Sequence, residues 1–213
     1  MRIGVVLALK RESNGYFDRL SLEKICHEPF EVYNGHFGDK EIFISISGLG
    51  KSYAAACTQF LIDRFKIDLI VNTGSCGGVC PLFNLGDLVM PVHIIEYDFK
   101  SIKLGTPIFQ VNKKFLNSAE DLNIKIAVLG SADSNADTKE KKDMLHQMGI
   151  SIADWEGASI LKTSIRNGKD ALILKVVTDT SSEKFVSEFL QNVKSFNQKL
   201  TKTALTIISN YQP

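Results

Sequence analysis

The sequence has no excess of charge of either sign, few cysteines and no long hydrophobic run. Its 213 residues carry 25 Lys and Arg against 24 Asp and Glu, which gives a formal net charge of +1. Non-specific binding to nucleic acid requires a basic surplus, so this balance argues against it. No apolar stretch approaches the roughly 20 residues of a membrane-spanning helix, and no membrane segment is predicted.

Metal-binding and export signals are also lacking. The four cysteines are spread without Cys-x-x-Cys spacing, and the four histidines do not cluster with them. We therefore expect no metal site, no cofactor and reduced, mostly buried thiols. The short apolar stretch near the N-terminus ends in Lys10-Arg11-Glu12 and not in a small-residue cleavage site. This ending predicts no signal peptide and a cytoplasmic protein.

Short apolar runs alternate with helical periods along the chain. Extended segments are predicted at residues 3–9, 41–47, 68–72, 86–92, 125–130 and 171–177. Helices are predicted at residues 51–65, 139–149 and 156–167, and a last helix carries one apolar stripe between residues 185 and 200. This alternation is typical of an α/β domain with a mostly parallel core sheet. With no linker or repeat, one domain is expected over residues 1–213.

Three carboxylates follow or precede the predicted strands at positions where ligands bind. In open α/β sheets the ligand lies at the carboxyl ends of the strands. Glu12 follows the first strand, Asp179 follows the last, and Glu156 opens the helix before it. Taken singly, Asp179 is a common helix N-cap residue and Glu156 a favourable first-turn acid. Together the three predict a single acidic crevice.

Two glycine-rich segments are predicted at the same edge of the sheet. Residues 48–52, Gly-Leu-Gly-Lys-Ser, match the end of a P-loop, but Ser45 replaces the first glycine of that pattern. A strand-to-helix turn is the better interpretation, and a nucleotide-triphosphate site stays open as an alternative. Residues 72–78, Asn-Thr-Gly-Ser-Cys-Gly-Gly, predict a loop whose backbone approaches a small molecule, or else an ordinary turn.

The order and spacing of these segments resemble the nucleoside phosphorylase superfamily over essentially the whole chain. The resemblance rests on residues 47–51, 72–78 with 85–89, 154–158 (Asp-Trp-Glu-Gly-Ala) and 178–179 (Thr-Asp). Among its branches, the 5′-methylthioadenosine/S-adenosylhomocysteine nucleosidases are the most similar. The resemblance implies a single-domain fold with a mixed, mostly parallel central sheet flanked by helices. It also implies a nucleoside as the small-molecule partner and a homodimer.

Two positions favour hydrolysis over phosphorolysis. Phosphorylases of the superfamily carry an arginine before the Gly-Ser segment to clamp phosphate, and this chain has Asn72 there. Glu12 would repel phosphate and could instead hold and activate water. The expected substrates are 5′-modified adenosines, followed by another purine nucleoside, futalosine-like or deoxyadenosine-like. A phosphorylase and a nucleoside-binding module without catalysis remain as alternatives.

The resemblance also implies roles for individual residues. Asp179 would protonate the departing base at N7, and Glu12 would orient and deprotonate the attacking water. Ser75 would help to hold the water or Glu12, and Glu156 would accept hydrogen bonds from the ribose hydroxyls. Further substrate contacts are expected from Trp155, Leu9, Leu49, Gly77, Ala132, Asp133, Thr178 and Phe185.

Three departures from the family pattern bear on specificity. Trp155 stands where a methionine usually precedes the ribose-binding glutamate, and an indole can still stack on a sugar face. Residues 131–134, Ser-Ala-Asp-Ser, replace an aromatic that often stacks on the base. The segment 97–107 is shorter than in typical members, where it helps the partner subunit to close the 5′ pocket.

Overall fold

Four parallel strands form the centre of the sheet. They lie in the order β10-β5-β1-β4 and comprise β1 (Arg2–Leu7), β4 (Lys40–Ile46), β5 (Leu69–Gly78) and β10 (Asp170–Asp179). Nearly all their side chains are buried, as expected for parallel strands that helices cover on both faces. The computed structural model describes residues 1–100, 102–103, 105–180 and 185–212.

The remaining strands extend one edge of the sheet and close the other into a ring. They are β2 (Glu23–Cys26), β3 (Val32–Phe37), β6 (Leu88–Glu96), β7 (Ile108–Gln110), β8 (Lys125–Ser131) and β9 (Ile152–Asp154). β3 and β2 continue antiparallel from β4, and β7 pairs with β6. β6, β8 and β9 connect β10 back to β5, so that five strands form a closed circuit.

Helices cover the two faces of the central strands. They are α1 (Asn14–Phe17), α2 (Lys51–Phe65), α3 (Asn117–Asp121), α4 (Lys139–Gln147), α5 (Gly157–Arg166) and α6 (Phe185–Asn210). Alternate residues of each strand point to opposite faces, so Leu7 packs in the cluster that includes Leu200 of α6. Val6 packs in the other cluster, with Leu61 of α2 and Ile160 of α5. Within the described residues, no helix has the length and apolar character needed to cross a bilayer.

The α/β class, the mostly parallel central sheet and helix α2 agree with the sequence-based expectation, and several boundaries differ, two of them next to the site. The first strand ends at Leu7 and not at residue 9, because the chain turns into a 3-10 helix at Lys10–Ser13. Residues 72–78 were expected to form a loop but belong to β5, where β10 pairs with them along one edge. The four thiols are free, with Cys57 and Cys76 buried.

Candidate active site

A cavity of about 240 Å³ lies at the carboxyl ends of β1, β5 and β10. Eight of the residues predicted from sequence line it: Glu12, Ser75, Asp179, Glu156, Trp155, Leu9, Leu49 and Gly77. The side chains of Leu49 and Val186 line the cavity and are about half exposed, so they mark its opening. Cys76 adds a neutral thiol to the wall, because burial raises its pKa well above the usual range.

Glu12 occupies a gap in the pairing of β5. One edge of β5 pairs with β1 as far as Asn72 and with β9 from Gly77 onwards. Between these pairings, the Ser75 N–H donates to Oε1 of Glu12 at 3.0 Å. Oε2 accepts from the Leu9 N–H, also at 3.0 Å, so the 3-10 helix holds the buried carboxylate from the other side. Each carboxylate oxygen is therefore fixed by a backbone donor.

The glycine beside Ser75 permits this arrangement. A Cβ atom on Gly74 would lie 3.0 Å from Oε1 of Glu12, closer than side-chain packing normally allows. The Oγ atom of Ser75 is buried and has no hydrogen-bond partner among the described residues. A buried hydroxyl without a partner is costly, so this oxygen is suited to hold a water or a substrate group in the cavity.

Glu156 lies between β9 and α5, and its carboxylate reaches across to the start of α2. The side chain is buried, and Oε1 accepts from the Gly50 N–H at 2.9 Å. The pKa of Glu156 is raised to about 7: burial is the largest cause and the nearby Asp154 adds to it, whereas Lys175 and the Gly50 N–H act in the opposite direction. This shift places the ionisation of Glu156 near neutral pH.

A buried ion pair lies directly behind Glu156. Nζ of Lys175 is 2.7 Å from Oδ2 of Asp154, and the two side chains are 2% and 1% exposed. Burial lowers the pKa of Lys175, but the carboxylates of Asp154 and Glu156 outweigh it, and the net shift is upward. Asp154 also accepts from the Gly157 N–H at 3.0 Å and from the Ser131 hydroxyl, so it joins β8 to the start of α5. The sequence carried one signal for this pair, a lysine within an apolar strand.

Asp179 is the last residue of β10. Its side chain is buried and lines the cavity, and Oδ2 accepts from the Thr178 hydroxyl at 3.2 Å. The pairing of β10 with β5 is irregular between Val177 and Asp179, opposite Gly77. Such a bulge interrupts the strict alternation of side chains. Thr178 itself is fully buried and outside the cavity wall, so its contact with the site runs through Asp179.

The loop after β8 reaches the cavity three residues later than the sequence suggested. Ala132 and Asp133 were predicted to contact substrate; neither lines this cavity, but Asp133 lines an adjoining one together with Leu49 and Trp155. Ala132 is buried beside β9, and its N–H donates to the Asp154 carbonyl. Asp133 instead accepts from the Lys51 N–H at 2.7 Å, at the start of α2. The cavity is lined by Asn135, Ala136 and Asp137, and no local pattern in the sequence predicts this.

Helix α6 supplies the remaining wall through Val186 and Phe189. The guanidinium of Arg11 lies over the ring of Phe189, 5.7 Å from its centroid. Phe185 was predicted to contact substrate, and its side chain lies outside the described residues. Phe189 was not predicted to line the site, although it belongs to the apolar stripe that predicted the helix.

The contacts of the Gly-Leu-Gly-Lys-Ser segment disfavour the nucleotide-triphosphate alternative. Nζ of Lys51 is 2.9 Å from Glu96 and 2.5 Å from Asp98. The carboxylate of Asp133 occupies the Lys51 N–H, one of the donors that a P-loop offers to phosphate. A phosphate group placed here would therefore meet three carboxylates.

A carboxylate-lined cavity at the strand ends of this α/β fold defines a class of ligand-binding domain, and comparison with known proteins identifies the family. A sequence profile described as "Phosphorylase superfamily" matches residues 2–209, and the chain belongs to this superfamily. Within it, the chain is 26% identical to a 5′-methylthioadenosine/S-adenosylhomocysteine nucleosidase of Exiguobacterium, over 94% of this chain and 95% of the relative. It is 28% identical to the Thermotoga maritima nucleosidase of the same name, over 76% of each chain.

Solved structures share the fold over nearly the full length of the chain. An S-adenosylhomocysteine nucleosidase from Streptococcus pyogenes, in complex with 5-methylthiotubericidin, has a TM-score of 0.92 at 22% identity. The match covers 100% of this chain and 98% of that one. A futalosine hydrolase of Helicobacter pylori has a TM-score of 0.91 at 19% identity, with 99% and 98% covered. At these identities the structures establish the common fold.

Proposed function

We propose that the protein is a nucleosidase that hydrolyses the N-glycosidic bond of 5′-modified adenosines, first among them methylthioadenosine and S-adenosylhomocysteine. The products are adenine and a free ribose derivative, which would serve purine and methionine salvage. One observation carries the proposal: Glu12, Glu156 and Asp179 line one cavity whose described walls contain no Lys or Arg. Such a site favours positive charge on a sugar and offers phosphate no cation. The names of the relatives support the same activity.

The geometry supports a distinct role for each carboxylate. Glu12 is fixed by two backbone donors and takes a proton from water, while the Oγ of Ser75 holds that water. The water oxygen bonds to C1′, the C1′–N9 bond breaks, and its electron pair passes to the purine. Asp179 delivers a proton to N7 of the leaving base. Glu156 accepts hydrogen bonds from the ribose hydroxyls, and its charge stabilises the oxocarbenium-like sugar.

The decisive experiment is product analysis with and without phosphate. The purified protein is incubated with methylthioadenosine, and free base and sugar products are separated by chromatography. Hydrolysis predicts free adenine and methylthioribose at the same rate in phosphate-free buffer. Ribose 1-phosphate derivatives, or strict dependence on phosphate, would overturn the proposal in favour of a phosphorylase. Tight nucleoside binding without any product would favour a binding module.

A second candidate is hydrolysis of another purine nucleoside, futalosine-like or deoxyadenosine-like. It is favoured by the described wall after β8, where Asn135 and Asp137 line the cavity in place of an aromatic side chain. A panel of nucleosides, scored for release of the free base, separates the two candidates by their kcat/KM values.

We further propose a cytoplasmic homodimer with one domain over residues 1–213. Leu49 and Tyr53 are 46% and 63% exposed and lie beside each other near the cavity, where a second copy would cover them. Sedimentation at micromolar concentration tests the assembly, with Tyr53→Lys as the variant. A wild-type protein that sediments as a monomer would contradict the dimer. Two unfolding transitions would contradict the single domain, and recovery outside the cytoplasmic fraction would contradict the location.

A further inference from the structure

The lysine of the Gly-Leu-Gly-Lys-Ser segment has no role in the chemistry above, yet its side chain forms two ion pairs. Lys51 is the first residue of α2, and its side chain is only 15% exposed. Nζ donates to Glu96 at 2.9 Å and to Asp98 at 2.5 Å. Removing an ammonium group from water costs free energy unless hydrogen bonds and opposite charges compensate for it. The contacts of Lys51 therefore indicate a structural role.

Asp133 completes a circuit around the same lysine. Oδ1 of Asp133 accepts from the backbone N–H of Lys51 at 2.7 Å. The N–H of Asp133 in turn donates to Oδ2 of Asp98 at 2.9 Å, while Oδ1 of Asp98 binds Nζ of Lys51. The side chain of Lys51 thus binds Asp98 directly, and its backbone N–H is linked to Asp98 through Asp133.

The circuit fixes the peptide that contacts Glu156. Gly50 precedes Lys51 directly, and its N–H donates to Oε1 of Glu156 at 2.9 Å. Gly50 has a φ of 93°, a conformation that glycine adopts without strain. Its Cα lies against Asp133, because a Cβ there would be 2.9 Å from Oδ1 of that residue. Any movement of Lys51 or Asp133 therefore displaces the donor to Glu156.

We propose that Lys51 is a positioning residue for the ribose-binding carboxylate: through Asp98 and Asp133 it holds the Gly50 N–H against Glu156. The proposal rests on the proposed function in one respect, that Glu156 binds the ribose. It assigns to the lysine of a P-loop-like segment a structural partner on the protein in place of a phosphate.

The charges around Glu156 determine how its pKa changes when the hydrogen bond from the Gly50 N–H is lost. Asp154 and Glu12 raise the pKa of Glu156, and Lys175 and the Gly50 N–H lower it from its buried value. When the Gly50 N–H is displaced, the pKa of Glu156 rises and a smaller fraction of the carboxylate is ionised at neutral pH. The nucleoside then loses its acceptor for the ribose hydroxyls, which weakens binding.

The test compares Lys51→Met with Lys51→Arg and with Lys162→Met as a matched control. Lys162 also donates to Glu96, at 3.3 Å, but has no bond to Asp98 or Asp133 and is 53% exposed. In Lys51→Met we expect KM to rise about tenfold, and the acidic limb of the kcat/KM profile to move to higher pH. Lys51→Arg retains the cation, so we expect most of the wild-type KM and pH profile to be restored. Lys162→Met keeps the wild-type profile.

Two further measurements keep the outcome clear. If Lys51→Met does not fold, Asp98→Asn weakens the same circuit at constant side-chain volume and is expected to shift the profile in the same direction. In the unliganded protein, an NMR titration of the Glu156 carboxyl is expected to give a higher pKa for the variant than for the wild type, even if no nucleoside proves to be a substrate. An unchanged titration in folded Lys51→Met, or equal effects of Lys51→Met and Lys162→Met, would overturn the proposal.

Discussion

The ion pair behind Glu156 gives the strongest stability prediction. Lys175→Met leaves the carboxylate of Asp154 buried beside that of Glu156 without a counter-charge. Removing one partner of a buried ion pair costs about 3–5 kcal/mol, because the remaining charge stays desolvated. For a chain of 213 residues this corresponds to a fall in Tm of roughly 10 °C.

The double variant Asp154→Asn with Lys175→Met separates two contributions to the loss of stability, the unpaired charge and the change in side-chain volume. An asparagine at 154 retains an oxygen acceptor for the Gly157 N–H while the buried charge is gone. We expect it to recover at least half of the lost free energy of unfolding, measured by urea denaturation. Lys139→Met, which breaks the exposed pair with Asp143, is the control and should change stability by less than about 1 kcal/mol. Equal stability of the single and double variants would refute the reasoning.

Three more predictions concern the cavity. Glu12→Gln and Asp179→Asn should each lower kcat by about 10²–10⁴-fold in the base-release assay, with unchanged circular dichroism; full activity in either would remove that residue from the mechanism. The rise in the pKa of Glu156 from 4.5 to about 7 corresponds to about 3 kcal/mol of folding stability, which is present below pH 4.5 and lost as the pH rises through 7. The stability of Glu156→Gln relative to wild type should therefore increase across this window in urea titrations. A constant difference between the two proteins would contradict the shift. Gly74→Ala should fold but lose most of its kcat, since its Cβ would meet Oε1 of Glu12 at 3.0 Å, and wild-type turnover would show that Glu12 has room to move.

The three carboxylates could be found from sequence because a topological rule locates them. The carboxyl ends of parallel strands meet at one edge, so Glu12 and Asp179 were expected there before any distance was known. Glu156 followed from the Asp-Trp-Glu segment at the start of a predicted helix. No such rule relates Lys175 to Asp154, since the partner of a lysine in a buried strand depends on packing between elements far apart in sequence.

Where the expectation and the structure differ, the causes are physical as well. Glycine usually interrupts a strand, so residues 72–78 predicted a loop, whereas here the missing side chains admit Glu12 beside β5. Substrate contacts were expected at Ala132 and Asp133, because the family often carries a base-stacking aromatic in this segment. The hydrogen bond from Lys51 draws Asp133 toward α2 instead, and the chain reaches the cavity only at Asn135.

The closed circuit of strands has a consequence for how the cavity prepares for its ligand. A segment with three glycines in seven residues loses much conformational entropy when it becomes ordered. In β5 this loss occurs during folding, because β10 binds one edge of the segment while β9 and Glu12 bind the other. The donor of Ser75 is consequently in place before any nucleoside arrives, and the free energy of association need not include the ordering of this backbone.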